Sequence, residues 1–309
     1  MTASGRAHRR GGSRAAGRRI ERPRVRLGYN TNGLQSHRLD DALRLCADAG
    51  CTAVALTLDV HHLDPFRSSA HEVAAVAALL ARLRLLPVIE TGARFLLDPA
   101  HKHEPTLMTR DAALRARRLE FYRRAAQIGR DLGAAVVSFW TGIDRTPGPD
   151  SQTLVRDGVR AAAAVVRAAG CTPALEPEPG MAVATLAQWR GVHQALGSDA
   201  PALTLDVGHL YVEWEGDPVA LTAGAVPLLA QVHLEDMRRG VHEHLVPGDG
   251  EVDFAGVHRA LREGGYQGPV CFELSRSSHM APQALQRCAD LWKALEGGGR
   301  GGRPASGPA

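Results

Sequence analysis

The stretch LTLDVGH, residues 203–209, carries an apolar run that ends in an aspartate, with a histidine three residues further on. Four or five apolar residues closed by a charge are too few for a globular helix and suit a strand buried on both faces. Residues 56–62, LTLDVHH, echo it. Working outward, runs of the same kind recur as VRLGYN (25–30), AVALTL (53–58), LPVIET (86–91), AAVVSFW (134–140), PALEPE (173–178), ALTLDV (202–207), AQVHLE (230–235) and PVCFEL (269–274). Between them lie amphipathic stretches such as RLDDALRLCADAG, HEVAAVAALLARLRL and DAALRARRLEFYRRAAQIGRDLG, several closed by a glycine where a helix C-cap falls. DFAGVHRALREGGY precedes the last strand, and APQALQRCADLWKALEGG closes the series. Eight strand–helix units, with no GxGxxG after the first strand, predict one (β/α)8 TIM barrel over residues 24–296 rather than an open doubly wound sheet.

Composition sets the outer limits. At 44% hydrophobic and 23% charged the chain reads as a globular protein, and no apolar run approaches the roughly 20 residues that span a bilayer. The net charge of +4 suggests nucleic acid until it is located: residues 1–26 hold nine Arg and one Glu, so residues 27–309 are net −4. Nucleic acid is therefore not an expected partner. Residues 1–23 read as a disordered basic tail and 297–309, GGGRGGRPASGPA, as a flexible end. Five cysteines, odd in number and without a CxxC pair, predict buried free thiols and a cytoplasmic setting. A homo-oligomer is compatible with everything above.

In such barrels chemistry sits at the C-terminal ends of the strands. Those ends supply Glu176 and Glu178 on the fifth strand, Asp206 on the sixth, His233 on the seventh and Glu273 on the eighth. Burying a carboxylate inside an apolar strand costs several kcal/mol unless a cation or hydrogen bonds compensate. Carboxylates on neighbouring strands call for a positive charge between them, and a divalent ion is the economical answer. Mixed oxygen and nitrogen donors point to Mn²⁺ first, with Mg²⁺, Co²⁺ and Zn²⁺ as the other candidates. The alternative is a structural network of the same groups with arginines.

The segments ALEPEPG, TLDVGH, VHLEDMRRGVHEHLVPGDGEVDF and CFELSR, in this order on strands five to eight, resemble the xylose-isomerase-like barrels of the sugar phosphate isomerase and epimerase family. The resemblance spans residues 25 to about 295. It implies a metal site of Glu176, Asp206, His233 and Glu273, a substrate-contacting His209, and a basic substrate contact at Arg238 or Arg239, of which Arg239 is preferred. It implies further that Glu176 and Glu273 move a proton through an enediolate of a small polyhydroxy carbonyl compound: a sugar, a sugar phosphate or a cyclitol. EPEPG departs from the ketose epimerases, which follow the first Glu with Pro, an apolar residue, Asn and Arg.

Further rim residues are candidates for substrate contact: Glu178 one pleat beyond Glu176, His61 from the LTLDVHH echo, Arg94 after the third strand and Trp140 at the end of the fourth. His101, Lys102 and His103 could form a lid. The only two asparagines of the chain, Asn30 and Asn32, both fall in YNTNG, which reads equally as a tight turn. His242 and His244 define the rival reading, an endonuclease-IV-like phosphodiesterase with several zinc ions. A dehydratase of an inosose-like substrate and a non-catalytic sugar-binding barrel are the remaining alternatives.

Overall fold

In the computed structural model, which describes residues 25–297, eight parallel strands close into a barrel. The strands are β1 (Arg26–Asn30), β2 (Ala53–Thr57), β3 (Leu86–Glu90), β4 (Val136–Phe139), β5 (Thr172–Leu175), β6 (Ala202–Asp206), β7 (Leu229–Leu234) and β10 (Pro269–Phe272). Each is hydrogen-bonded to its neighbour in sequence, and β1 closes the ring against β10. Two short antiparallel strands, β8 (Asp236–Arg238) and β9 (Val241–Leu245), form a hairpin inserted after β7. The basic tail expected over 1–23 and, apart from residue 297, the Gly-rich end expected over 297–309 lie outside the described residues.

The strands are nearly continuous apolar runs because helices cover their outer face while side chains fill the interior; β2 is buried at all five positions. The outer layer comprises α1 (Leu39–Asp48), α2 (Ala70–Leu83), α3 (Ala112–Leu132), α4 (Ser151–Ala168), α5 (Leu186–Leu196), α6 (Val207–Glu213), α7 (Pro218–Ala225), α8 (Phe254–Glu263) and α9 (Ala281–Glu296). Local chemistry places the helix starts. Ser69 and Glu72 close a reciprocal capping box on α2, Thr185 and Gln188 another on α5, and Asp111 accepts from Ala113 N and Leu114 N at the start of α3. Gly133 ends α3 in the left-handed conformation that glycine adopts without steric cost.

Inside the barrel the two-residue period of a strand stacks layers. Val88, Val136 and Ala174 form a small apolar cluster. Two residues on, the same faces present Glu90, Ser138 and Glu176. The interior thus passes from hydrocarbon to hydroxyl, where Thr204 Oγ1 lies 2.9 Å from Ser138 Oγ, and then to a charged layer at the C-terminal rim.

Candidate active site

Asp206 is the last residue of β6 and the N-cap of α6 at once. Its Oδ1 accepts from His209 N at 3.0 Å, so the Asp-x-x-His spacing is a helix start that also brings both side chains to the rim. The second oxygen, Oδ2, is buried without a hydrogen-bond partner among the described residues. Register puts Asp206 beside His233 on β7, and His233 beside Cys271 on β10. Glu176 and Glu273 follow β5 and β10 by one residue and continue the ladder, donating their N–H to Phe139 O (2.9 Å) and Leu234 O (3.1 Å).

The consequence is convergence. One ligand atom from each of Glu176, Asp206, His233 and Glu273 lies within 4.8 Å of the others. His233 Nδ1 is 3.0 Å from Glu176 Oε1 and 2.9 Å from Glu273 Oε2, while its Nε2 is 2.9 Å from Glu90 Oε1. Gln231 Nε2 also donates to Glu90. Since that amide nitrogen is a donor, the proton on His233 Nε2 goes to Glu90, and Nδ1 faces the two rim carboxylates. Burial opposes an imidazolium here, but Glu176, Glu273 and Glu90 outweigh it and raise the His233 pKa well above its ordinary value. Burial lifts Glu176 to about 8, an effect that His233 only partly offsets. At Glu273 the balance reverses: His233 overrides burial and holds the carboxyl at about 2.

These groups fit a divalent cation. Three carboxylates and an imidazole are hard-to-borderline donors, and the buried, unpartnered Asp206 Oδ2 has a free lone pair in the midst of them. From within the chain, protons on His233 and Glu176 are what offset the cluster's negative charge.

Two residues outside the strand-end reading complete the layer. Glu90, the acidic end of β3, is the partner of His233, and LPVIE ends like PVCFE. Asn32 Nδ2 donates to Glu273 Oε1 at 2.5 Å. Asn30 Oδ1 accepts from Asn32 N (3.1 Å) and from Thr57 Oγ1 (2.7 Å), and a Cβ on Gly33 would come 2.9 Å from Leu274 O. YNTNG is thus a short helical turn pressed against the eighth barrel strand, with Gly33 required by close approach. The signal available beforehand was the scarcity of Asn.

A cavity of about 620 Å³ opens over this layer. Glu178, Arg94 and Trp140 line it. Arg94 donates from Nη2 to Ser275 O at 3.0 Å, not to Glu90 or Asp98. His209 stands behind Glu178: its Nδ1–H donates to Pro177 O (2.9 Å), which leaves a bare Nε2 lying 3.5 Å from Asp206 Oδ2 and 3.8 Å from Glu178 Oε2. His242 and His244 approach the same spot from β9, with Nε2 atoms 3.3 Å apart.

Two expected contacts are elsewhere. His61 is exposed in the turn after β2 and does not line the cavity; Asp59 uses its oxygens on Val60 N and Arg94 N, and His62 is buried against His37 O. Arg239 is exposed beyond β8 and stacks on Trp214, its guanidinium carbon 3.8 Å from the ring centroid. The hairpin explains this, because its tight turn at Gly240 carries Arg238 and Arg239 outward while His242 and His244 return to the rim. His101 pairs with Asp98 at the surface, whereas Lys102 and His103 line the cavity.

Residues 43–295 match the family model described as xylose isomerase-like TIM barrel. L-ribulose-5-phosphate 3-epimerase UlaE of Escherichia coli is 29% identical over 211 residues, which cover 66% of this chain and 73% of that protein. Among solved structures, D-allulose 3-epimerase from Methylomonas sp. superposes with a TM-score of 0.71 at 18% identity, covering 88% of this chain and 98% of that one. An L-ribulose 3-epimerase gives 0.69 at 23%, with coverage of 88% and 94%. At those identities the superpositions speak for the fold. Together with the family match over most of its length, they identify the chain as a member of the xylose isomerase-like TIM barrel family.

Proposed function

We propose that this protein is a divalent-metal-dependent 3-epimerase of a small ketose, with Glu176, Asp206, His233 and Glu273 as metal ligands and manganese as the first candidate ion. The observation that carries it is the convergence of those four side chains on one point at the floor of a polar cavity. The epimerase names of the relatives on both sequence and structure support it. When bound, the cation would polarise the substrate's carbonyl and neighbouring hydroxyl and so acidify the C–H between them.

The chain's own part is proton transfer and orientation. Glu176 and Glu273 approach His233 Nδ1 from different strands, so a substrate seated above them has a carboxylate at either face. With a cation bound both carboxylates would be ionised: one accepts the substrate's proton through a carboxylate oxygen, and the other, having taken a proton from solvent, returns it to the opposite face. Asn32 fixes the orientation of Glu273, and Glu90 fixes the tautomer of His233. Glu178 serves as an acceptor for substrate hydroxyls, backed by His209, which does not itself line the cavity, and Trp140 closes one wall. Five free and buried cysteines fit a reducing, cytoplasmic setting, and no described helix is long and apolar enough to cross a membrane.

One observation favours the multi-zinc phosphodiesterase as second reading: His209, His242 and His244 also offer ligand atoms within 4.8 Å of one another. Against it stands the net −4 of residues 27–309, which suits a phosphate backbone poorly. The test is NMR in D₂O of the Mn²⁺- or Mg²⁺-loaded protein with L-ribulose, D-allulose and D-tagatose. Deuterium entering at C3 with formation of the epimer is expected. Absence of exchange with every ketose, together with cleavage of a phosphodiester, would replace the first reading with the second.

A further inference from the structure

Basic side chains line the cavity as well as carboxylates. Arg94 from the loop after β3, Lys102 from the segment that follows it and Arg276 from the loop after β10 all line it. Arg94 spends one N–H on Ser275 O, and none of the three forms an ion pair with a carboxylate among the described residues. Three cations that line one cavity without ion pairs of their own repel one another, with Glu178 only a partial counter-charge at Lys102, so a fold that keeps them together has a use for the field they make. Burial and the charges of Arg94 and Arg276 lower the Lys102 pKa, as expected of groups that share one site.

The support behind Lys102 is built rather than incidental. His103 has a φ of 68°, a left-handed conformation that disfavours a non-glycine residue. Its N–H is tied to Arg94 O at 2.6 Å, linking the segments that carry Arg94 and Lys102. Arg118, 1% exposed, donates to His103 O and, at 2.6 Å, to Pro105 O, with its guanidinium carbon 5.1 Å from the Trp140 ring centroid. On the opposite side, Ser36 N donates to Ser278 Oγ at 2.7 Å, so the loop after β1 is joined to the one that carries Arg276.

We propose that Arg94, Lys102 and Arg276 form an anion subsite for the terminal phosphate of a phosphorylated ketose, the reacting carbons of which lie over the carboxylate layer. This rests on the epimerase reading above and narrows its substrate class. A phosphate is preferred to a carboxylate because three donors from three segments surround a tetrahedral dianion, whereas a planar carboxylate is served by one guanidinium fork. Lys102 and Arg276 are the more exposed members, placed to meet the phosphate as it enters.

The experiment compares L-ribulose with L-ribulose 5-phosphate on the metal-loaded wild type and on Lys102→Gln, Arg276→Gln and the double variant. The ratio of kcat/KM, phosphorylated over free, is expected to be of order 10³ in the wild type, to fall at least about tenfold in each single variant and about 100-fold in the double. A wild-type ratio near one, a ratio unmoved by the substitutions, or preference for a ketose ending in a carboxylate overturns the subsite. Should the protein epimerise neither sugar, the epimerase reading fails by itself, and inorganic phosphate decides the subsite independently. Millimolar phosphate that raises the melting temperature of the wild type but not of the double variant supports it; an equal effect on both, or none, overturns it.

Discussion

Replacement of Glu90 tests whether His233 presents Nδ1 to a cation. Glu90 Oε1 lies 2.9 Å from His233 Nε2, its side chain is 7% exposed, and Gln231 Nε2 donates to the same carboxylate. In Glu90→Gln the acceptor oxygen survives, and the new amide N–H has a ready partner in Gln231 Oε1, which is buried and unpartnered. Only the charge is lost, a difference of about 1 kcal/mol between a charge-assisted and a neutral hydrogen bond, so metal affinity should fall about fivefold. Glu90→Leu removes the acceptor for two buried donors, each costing about 1–3 kcal/mol when unsatisfied. His233 is then free to turn its ring, and metal affinity should fall roughly 10- to 100-fold, the usual penalty for losing the group that orients a ligand histidine. Calorimetric titration of Mn²⁺ into each variant, with circular dichroism to confirm folding, gives the numbers. A folded Glu90→Leu protein with wild-type metal affinity would refute the assignment of His233 as a ligand through Nδ1.

Removing the metal should lower thermal stability: at an ion concentration 100-fold above Kd, linkage is worth about 2.7 kcal/mol, or about 5–10 °C for a domain of this size. Differential scanning calorimetry with and without chelator measures it, and an unchanged melting temperature would count against a bound ion. Metal uptake should release protons, because Glu176 near 8 and the raised His233 both carry protons that a cation displaces. Affinity should therefore strengthen as pH rises towards about 8, and calorimetry in buffers of different ionisation enthalpy checks it; a proton-neutral, pH-independent isotherm would contradict the assignment. Glu176→Gln and Glu273→Gln should each lose epimerisation by several orders of magnitude, with one of them still exchanging solvent deuterium without inversion, whereas Glu178→Gln should be milder. Loss of exchange in Glu178→Gln with retention in Glu176→Gln would move the proton donor two residues along the fifth strand.

The barrel was legible because its strands are apolar runs on both faces and its helices are punctuated by caps; predicted and observed bounds of α3 and α9 differ by a residue or two. The hairpin was not legible. MRRGVHEHL has no alternating apolar face, since β9 lies over the rim rather than in the barrel, and its pairing depends on the turn at Gly240. Arg239 was placed from its distance beyond His233, but a turn between two residues reverses direction, which spacing alone does not record. Glu90 was within reach of the rule that found Glu273, an acid closing an apolar strand; Asn32 was not, because its contact with Glu273 spans almost the whole chain and arises only when the barrel closes. Asp236 shows the same limit: it follows the seventh strand in HLED, yet both its oxygens are engaged, by Met237 N, Gly248 N and Val252 N, holding the loop that leads into α8.

The paired LTLDV segments show what separates a chemical aspartate from a structural one. Asp206 ends its strand in register with His233, and the helix that begins at once takes only Oδ1, through His209 N, so Oδ2 remains bare in the charged layer. Asp59 lies two residues past the end of β2, where the chain turns instead of entering a helix. Val60 N and Arg94 N take one oxygen each, so neither oxygen is left without a donor. Its contribution is indirect: by gripping Arg94 N it sets the start of the loop whose Arg94 and Lys102 line the cavity. Identical pentapeptides thus serve opposite walls of one site, one through an unsatisfied oxygen and the other through two satisfied ones, and the difference lies in whether the next residues form a helix. Two residues decide that locally: Gly208, where a Cβ would collide with the Glu235 carboxyl, lets α6 pack down on the rim, while His61 at the matching position turns outward to solvent.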